Sequence, residues 1–281
     1  MENQAKKVWF ITGASKGFGL LFVKQLLEKD DAVAATSRNL QQLKDAVDTT
    51  NENFLPLEVD LINEQSVADA VNKTITTFGK IDIVVNNAGY GITGSLEELS
   101  DEEARTNFDV NVFGSLNVIR QVLPHLRKQR SGHIFNISSI AGITGAFPGF
   151  GIYCATKFAV LGFTESLQVE GKPFGINVTA VLPGYFRTNF LESDSLAVAK
   201  SPITAYEEVR KVQEVHQNQI NGNQQGNPEK GVAEIIKVAN IDNPPLYLLL
   251  GSDSVQLAEN KITTLHNEIE AWKSVSQSTD F

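Results

Sequence analysis

The sequence predicts a doubly wound α/β fold, in which a parallel sheet carries helices on both faces. Short apolar runs alternate with longer amphipathic segments along most of the chain. The apolar runs are rich in Val, Ile, Phe and Leu and show little alternation, which is typical of strands covered on both faces. Their alternation with helical patterns indicates right-handed crossover connections. We therefore expect one domain over residues 1–281 with about seven strands.

The individual elements follow from the same periodicity. The predicted strands are Val8–Thr12, Ala32–Thr36, Phe54–Val59, Ile81–Asn86, His133–Ser138, Asn177–Leu182 and Leu246–Leu250. The predicted helices are Gly19–Lys29, Leu40–Thr49, Glu64–Phe78, Asp101–Arg130, Tyr153–Glu170 and Leu257–Trp272. Ser100 and Glu103 have the spacing of a capping box, which marks the start of the fourth helix.

One segment, residues 185–227, interrupts the alternation. It holds an amphipathic piece, Ala205–Ile220, and then a polar tract rich in Asn and Gln. Long insertions in compact domains are usually functional lids or disordered loops, and we predict a substrate lid. Residues 253–281 are predicted to form a C-terminal helix and tail, with Ser274–Phe281 frayed.

Composition and charge limit the function classes. The 281 residues include 42% hydrophobic and 20% charged residues, which is ordinary for a globular core. The net charge of −9 disfavours nucleic acid or an anionic membrane as the main partner. The only cysteine, Cys154, excludes an internal disulfide, and we find no signal peptide and no apolar run long enough to span a bilayer. We expect a cytoplasmic protein that binds neither nucleic acid nor a membrane.

The first predicted strand ends in a glycine-rich turn that leads into a helix. Glycines occur at Gly13, Gly17 and Gly19, after Thr12. Glycines in such a turn permit close approach of the backbone to a pyrophosphate at a helix N-terminus. Taken by itself, the motif has an alternative interpretation as an ordinary glycine-rich turn between a strand and a helix.

With the motifs that follow, the sequence resembles the short-chain dehydrogenase/reductase family. Thr12–Gly19 matches its TGxxxGxG pattern, and the later matches are Asn86-Asn87-Ala88-Gly89, Asn111-Val112-Phe113-Gly114, Asn136-Ile137-Ser138-Ser139, Tyr153-Cys154-Ala155-Thr156-Lys157 and Pro183-Gly184. They occur in the family's order from about Lys7 to Thr188. The resemblance implies a Rossmann-like fold and oxidoreductase activity of the 17β-hydroxysteroid or retinol dehydrogenase type.

The resemblance assigns four catalytic residues, Asn111, Ser139, Tyr153 and Lys157. Tyr153 would donate a proton to a carbonyl oxygen, Ser139 would hydrogen-bond that oxygen, and Asn111 would hold a water of a proton relay. Tyr153 and Lys157 lie four residues apart on a predicted helix and so share a face. We expect the lysine ammonium to lower the pKa of the tyrosine.

The serine departs from the spacing that is common in the family. Ser139 lies 14 positions before Tyr153, one more than the common family spacing, and Ser138 is the competitor. The turn-rich loop from Gly145 to Gly149 can absorb the extra residue. Ser138 lies further still from Tyr153, so we predict Ser139.

The second strand indicates which cofactor is used. NAD-selective relatives place a carboxylate at its end, which accepts hydrogen bonds from the ribose 2′-hydroxyl. Here Ser37 and Arg38 occupy that position, and Lys16 lies in the glycine loop. A guanidinium suits a 2′-phosphate, so we predict NADP(H). A solvated arginine at a strand end is the alternative.

Further residues are assigned by resemblance or by position. The full set of predicted cofactor contacts is Gly13, Ser15, Lys16, Gly17, Phe18, Gly19, Ser37, Arg38, Asp60, Leu61, Asn87, Ala88, Gly89, Tyr153, Lys157, Pro183, Gly184 and Thr188. The predicted apolar wall of the substrate pocket, which could equally be core or lid packing, is Phe147, Phe150, Tyr185, Phe186 and Phe190. No metal is expected, because the four histidines, His125, His133, His216 and His266, show no ligand spacing and suit core or surface positions.

Together these observations predict reversible hydride transfer between NADP(H) and a carbonyl or secondary alcohol, with an apolar small-molecule substrate. Two alternatives stay open: reduction of a C=N bond or a 3-oxoacyl thioester, and a non-catalytic NADP-sensing role. The family resemblance also implies a homodimer or homotetramer.

Overall fold

The computed structural model describes residues 6–192 and 195–281. Residues 193 and 194 of the predicted lid, and residues 1–5 of the predicted domain, lie outside the described residues. The strands are β1 Val8–Ile11, β2 Ala32–Ser37, β3 Phe54–Glu58, β4 Ile83–Asn86, β5 Gly91–Thr93, β6 Gly132–Ile137, β7 Ile176–Pro183, β8 Leu196–Val198 and β9 Tyr247–Leu250. The α-helices are α1 Gly17–Glu28, α2 Leu40–Val47, α3 Glu64–Phe78, α4 Asp101–Phe108, α5 Gly114–Gln129, α6 Gly151–Gly171, α7 Glu207–Val215, α8 Pro228–Val238 and α9 Ser252–Gln277.

Seven strands form one parallel sheet in the order β3-β2-β1-β4-β6-β7-β9. The predicted doubly wound α/β fold is confirmed. Chain order reverses direction across the sheet between β1 and β4, and in this fold class the crevice beyond the strand ends at such a point receives ligands. The small strands β5 and β8, in the segments that follow β4 and β7, pair with each other in a separate two-stranded sheet.

Each face of the sheet is covered by helices that bury apolar side chains. On one face, α1 and α8 pack together and bury Phe22, Leu26, Val232 and Ile235. On the other, α3, α5 and α6 bury a second apolar cluster that includes Val71. Burial on both faces explains why the strands lack polar alternation.

Several predicted boundaries change. The predicted helix Asp101–Arg130 consists of α4, a π-helical turn over Asp109–Phe113, and α5. Helix α8 was not predicted, although Asn227 caps it through the backbone N–H of Lys230 at 3.0 Å. The predicted frayed tail is wrong for its first four residues, because α9 continues to Gln277.

Candidate active site

A cleft of about 980 Å³ opens at the carboxyl ends of the main strands. It extends from the glycine loop after β1, past Tyr153, to the aromatic residues of the segment after β7. Cofactor-sized and substrate-sized ligands bind in clefts of this size and position in doubly wound folds.

The glycine loop is locked to the loop that follows β4. Gly13 and Gly17 have φ angles of +65° and +55°, which favour glycine, and a Cβ on Gly13 would lie 2.8 Å from the Cα of Ala88. The Asn87 side-chain amide donates to the carbonyl oxygens of Thr12 at 2.9 Å and Gly13 at 3.0 Å. Thr12 Oγ1 accepts from the backbone N–H groups of Asn87 and Ala88, each at 3.0 Å. The backbones of the loops after β1 and β4 are thus held together beside the cleft.

The start of α1 supports this loop from behind. Gly19 does not line the cleft, because it lies against the loop backbone: a Cβ there would collide with the carbonyl oxygen of Gly13 and lie 2.7 Å from the Asn87 amide nitrogen. Phe18 does line the cleft, and its ring packs edge-on against Phe186 with centroids 5.2 Å apart.

At the end of β2, Ser37 and Arg38 face the same cleft, and no carboxylate stands in this position. Arg38 is exposed, and Ser37 Oγ accepts from the backbone N–H of Asn39 at 3.2 Å. Lys16 and Asp60 also line this end of the cleft. The open glycine backbone and this cationic edge fit a phosphorylated dinucleotide.

Tyr153, Ser139 and Lys157 meet on the floor of the cleft. Tyr153 and Lys157, on α6, are 92% and 95% buried, and the lysine Nζ lies 5.8 Å from the centre of the tyrosine ring. Lys157 Nζ donates to the carbonyl oxygen of Ile137 at 2.9 Å, which fixes it at the end of β6. The Ser139 side chain lies beside the Tyr153 hydroxyl.

Burial controls the ionisation of both groups on α6. Burial raises the pKa of Tyr153, and the neighbouring Ser139 side chain opposes this only in part. The expectation that Lys157 lowers the tyrosine pKa is therefore wrong for the protein alone, because desolvation outweighs any such effect. Burial also lowers the pKa of Lys157 to about 8. At neutral pH the tyrosine keeps its proton and the lysine is mostly charged.

The two candidate serines have different surroundings. Ser138 Oγ donates to the carbonyl oxygen of Lys157 at 2.9 Å and is buried, so it fastens α6 to β6. Ser139 faces Tyr153, and its Oγ also accepts from the backbone N–H of Ala141 at 3.1 Å. Of the two serines, Ser139 is therefore the one beside the Tyr153 hydroxyl.

Asn111 lies behind the cleft, in the π-helical turn between α4 and α5, and does not line it. Its amide nitrogen donates to Tyr90 O at 3.0 Å and Thr156 Oγ1 at 3.1 Å, and its Oδ1 accepts from Tyr90 N at 3.0 Å. These bonds hold the loop after β4 near Lys157. A relay water could use only the second lone pair of Oδ1 or the main-chain oxygen.

An aromatic wall continues from Tyr153 away from the dinucleotide end. Ring centroids lie 5.7 Å apart for Tyr153–Phe190, 6.4 Å for Phe150–Tyr153 and 4.9 Å for Phe150–His216. Phe147 and Tyr185 also line this part of the cleft. Phe186 lines the cleft as well, but its ring packs on Phe18 near the glycine loop, not on this wall.

Two polar residues in this wall were not predicted as site residues. His216 Nδ1 lies 2.7 Å from the carbonyl oxygen of Val212, which can only accept, so in the neutral imidazole Nε2 accepts from the Tyr185 hydroxyl at 2.9 Å. Gln224 is 97% buried and lines the cleft, and neither atom of its side-chain amide has a hydrogen-bond partner among the described residues. Nothing in the local sequence pattern distinguishes this glutamine from its neighbours in the polar tract.

The segment after β7 is held to the body by two carboxylates. Glu98 accepts from the backbone N–H groups of Ser95 and Ile203, each at 2.6 Å, and pairs with Arg210 of α7 at 2.7 Å. Burial would raise the pKa of Glu98, but these bonds outweigh it and hold the pKa below its ordinary value. At the other end, Asp253 of α9 accepts from the backbone N–H of Tyr185 at 2.7 Å.

The structure brings most of the predicted residues together. Those that line the cleft are Gly13, Ser15, Lys16, Gly17, Phe18, Ser37, Arg38, Asp60, Leu61, Asn87, Ala88, Gly89, Ser139, Phe147, Phe150, Tyr153, Lys157, Pro183, Gly184, Tyr185, Phe186, Thr188 and Phe190. Gly19 and Asn111 support the site from outside it.

Comparison with known proteins agrees with this geometry. The family model for short chain dehydrogenases matches residues 7–198. The chain belongs to the short-chain dehydrogenase family. Oxidoreductase BOA17 from Botryotinia fuckeliana is 35% identical over 96% of this chain and 98% of its own length. A 3-ketodihydrosphingosine reductase from Bacteroides thetaiotaomicron is 37% identical over 87% of this chain and 88% of its own.

Solved structures place the chain in the same family of oxidoreductases. A short-chain dehydrogenase from Streptomyces avermitilis has a TM-score of 0.91 and 33% identity, covering 99% of this chain and all of its own. ElxO, solved with NADP bound, has a TM-score of 0.72 and 27% identity, covering 89% of this chain and 99% of its own. Among the described residues of this short-chain dehydrogenase, no helix is long and apolar enough to cross a membrane, and no His, Cys, Asp and Glu cluster could hold a metal.

Proposed function

We propose that this short-chain dehydrogenase transfers hydride reversibly between NADP(H) and a carbonyl or secondary alcohol, with Tyr153 as the general acid/base. The observation that carries the proposal is the meeting of Ser139, Tyr153 and Lys157 on the floor of a cleft whose other end is a glycine-rich dinucleotide cradle. The relative named for reducing a 3-keto compound supports a ketone as the oxidised substrate.

Each residue has a role that follows from its surroundings. Tyr153 would donate its proton to the carbonyl oxygen as the carbonyl carbon receives the hydride, because burial keeps the hydroxyl protonated until then. Ser139 would donate a hydrogen bond to the same oxygen and stabilise its developing charge. Lys157, held by the carbonyl of Ile137, would offset the charge left on Tyr153.

The dinucleotide would lie along the loops after β1, β2 and β4. The glycine loop would receive the pyrophosphate, and Ser37, Arg38 and Lys16 would hold a 2′-phosphate. When bound, the nicotinamide supplies or accepts the hydride. Lys157 and the Pro183–Thr188 loop line the cleft where the nicotinamide end would lie.

The substrate would occupy the aromatic end of the cleft, beneath the proposed lid of residues 185–227. Phe147, Phe150 and Phe190 supply an apolar surface, which favours an apolar carbonyl compound. Gln224 adds one buried amide without a partner among the described residues, and such a group is costly unless a ligand satisfies it. We infer that the substrate also carries a neutral polar group away from the carbonyl.

The proposal is tested by measuring the NADPH consumption of the wild type and of the variants Tyr153→Phe, Ser139→Ala and Ser138→Ala with a panel of ketones. The panel contains pairs of ketones that differ by one hydroxyl group. We expect Tyr153→Phe to lower kcat about a thousand-fold with the Kd for NADPH unchanged, and Ser139→Ala to lower it about a hundred-fold. Ser138→Ala should mainly reduce stability, because it removes a buried tie to α6.

Tyr247→Phe is the matched control, since its hydroxyl is exposed and bonds Glu165 far from the cleft. If NADPH binds tightly and no carbonyl in the panel is reduced, the sensing role replaces the enzymatic one. If Ser138→Ala abolishes turnover and Ser139→Ala does not, the serine assignment is wrong.

A further inference from the structure

The segment 183–185, at the end of β7, lines the cleft and is held from outside by the start of α9. The backbone N–H of Gly184 donates to the carbonyl oxygen of Leu250 at 2.9 Å. The backbone N–H of Tyr185 donates to Asp253 Oδ2 at 2.7 Å. Gly184 and Tyr185 line the cleft, whereas Asp253 lies behind them and does not.

The Asp253 carboxylate occupies space that two glycines leave open. A Cβ on Gly184 would collide with both carboxylate oxygens, and a Cβ on Gly251 would collide with Oδ1. Gly251 has a φ angle of +97°, which favours glycine by itself. Gly184 has no positive φ angle, and the three atoms nearest to an added Cβ there all belong to Asp253. The room that the carboxylate needs therefore explains the glycine at position 184.

Stability alone does not explain where this carboxylate lies. Its second oxygen, Oδ1, is buried and has no hydrogen-bond partner among the described residues. A buried polar atom without a partner costs free energy. An acidic residue in the first turn of α9 gains from the helix dipole, but that gain does not require the side chain to reach Tyr185. What this placement adds is the bond to the Tyr185 backbone.

That bond completes the set that fixes Tyr185. The Tyr185 carbonyl oxygen accepts from the backbone N–H of Gly226 at 2.9 Å, and its hydroxyl bonds His216 Nε2 at 2.9 Å. With Asp253 on its N–H, every polar group of the residue is held. Tyr185 lies between the segment where the nicotinamide end would lie and the aromatic wall, so its backbone position affects the shape of both.

We propose that Asp253 is a positioning residue for the dinucleotide, and that position 184 is a glycine in order to seat its carboxylate. From behind the cleft, Asp253 holds the segment 183–185 in the shape that receives the nicotinamide end. The inference rests on the proposed binding of NADP(H). A segment that is fixed before the ligand arrives does not have to be ordered at the expense of binding free energy.

The affinity for NADPH, measured by calorimetric titration, tests the role of the side chain. We expect Asp253→Ala to raise the Kd about ten-fold, because the segment must then be ordered on binding. Asp253→Asn keeps an acceptor oxygen in a side chain of the same size and should stay within about two-fold of the wild type. Asp253→Glu keeps the charge but is too long for the space between the two glycines, and it should lose as much affinity as Asp253→Ala.

Ser254→Ala is the matched control for a purely structural role. Ser254 Oγ is buried and donates to the carbonyl oxygen of Leu182 at 2.7 Å, so it ties the same two segments together. Leu182 belongs to β7 and does not line the cleft. Ser254→Ala should lower stability in urea as Asp253→Ala does and leave the Kd for NADPH unchanged. An equal loss of affinity in Ser254→Ala would overturn the positioning role.

A double-mutant cycle tests why position 184 is a glycine. Gly184→Ala should raise the Kd for NADPH about ten-fold, because the added methyl group displaces the Asp253 carboxylate from Tyr185. In the Asp253→Ala background the same change should raise it less than about two-fold, because the methyl group then fills vacated space. Losses that multiply in the double variant would mean that the glycine serves the dinucleotide directly, and the proposed seat would be wrong.

Hydrogen exchange of the protein without cofactor gives a readout that does not depend on binding. Asp253→Ala should raise the exchange rate of the Tyr185 amide about ten-fold, and Asp253→Asn and Ser254→Ala should not. If the wild type does not bind NADPH, the proposed function fails, and exchange alone decides whether Asp253 holds the segment. Unchanged exchange in Asp253→Ala would overturn the proposal, and so would an unchanged Kd where the wild type binds NADPH.

Discussion

The two ends of the cleft are built in different ways. At the dinucleotide end, the walls are backbone: the glycine loop and the loop after β4 are joined by Asn87 and Thr12 with almost no space between them. At the substrate end, the walls are side chains from a segment held to the body by Glu98 and Asp253. At the dinucleotide end there is no room for an added side-chain atom between the two backbones. At the substrate end, the side chains that line the cleft can be exchanged without changing the contacts of Glu98 and Asp253 that hold the segment in place.

This difference is sharpest at Gly19. We expect Gly19→Ala to destroy NADPH binding and to lower the free energy of unfolding by about 3 kcal/mol, because the added Cβ collides with the carbonyl oxygen of Gly13 and crowds Asn87. Calorimetric titration with NADPH and urea unfolding measure the two effects.

The control is Gly162→Ala in α6, where an added Cβ meets nothing within 4 Å. It should raise stability by about 0.5–1 kcal/mol, since alanine is favoured over glycine inside a helix. If Gly19→Ala binds NADPH as tightly as the wild type, the dinucleotide end is less rigid than its contacts indicate.

The same contrast explains what the sequence could predict. The seven strands of the main sheet all lie within or overlap predicted strands, because burial on both faces leaves a strong local signal in short apolar runs. The glycine loop was also predictable, since a backbone packed this closely against its neighbour needs glycines at fixed positions. Gln224 and His216 were not: their positions depend on contacts within the segment after β7, with Arg187 and Tyr185, which no local pattern encodes.

The small ribbon of β5 and β8 escaped prediction for a similar reason. Each strand has three residues, and their pairing joins Gly91 to Leu196, more than a hundred residues apart in sequence. Helix α8 did carry local signals, Asn227 as its cap and Pro228 in its first turn, but the polar tract before it obscured them.

At the edge of the dinucleotide end, one side chain should decide between cofactors. We expect Arg38→Ala to raise the KM for NADPH about 30-fold and to leave that for NADH unchanged, because a hydrogen bond to a charged group contributes about 2 kcal/mol. Steady-state kinetics with both cofactors measures the ratio. Arg127→Ala, an exposed arginine on α5, is the control; equal changes with both cofactors would contradict the proposed 2′-phosphate contact.

The smallest effect on catalysis is expected where the proposed lid meets the body, at the pair of Glu98 and Arg210. Glu98→Gln keeps the size of the side chain but removes its charge from Arg210, so the lid should be held less firmly. We expect the KM for the carbonyl substrate to rise about three-fold with kcat nearly unchanged, and stability at pH 7 to fall by about 2 kcal/mol. Glu234→Gln, which breaks an exposed pair with Lys237, should change stability by less than about 0.5 kcal/mol.

The pH dependence of stability distinguishes an effect of the Glu98 charge from an effect of lost packing around its side chain. The pKa of Glu98 is lower in the folded protein than its ordinary value of 4.5, so its contribution is present above that value and is lost as the pH falls through the folded-state pKa. Urea unfolding should therefore show a constant difference in stability between the Glu98→Gln variant and the wild type above about pH 4.5, and a difference that narrows as the pH is lowered further. Parallel curves would mean that the carboxylate charge does not hold the lid, and the substrate end would then depend on its aromatic packing alone.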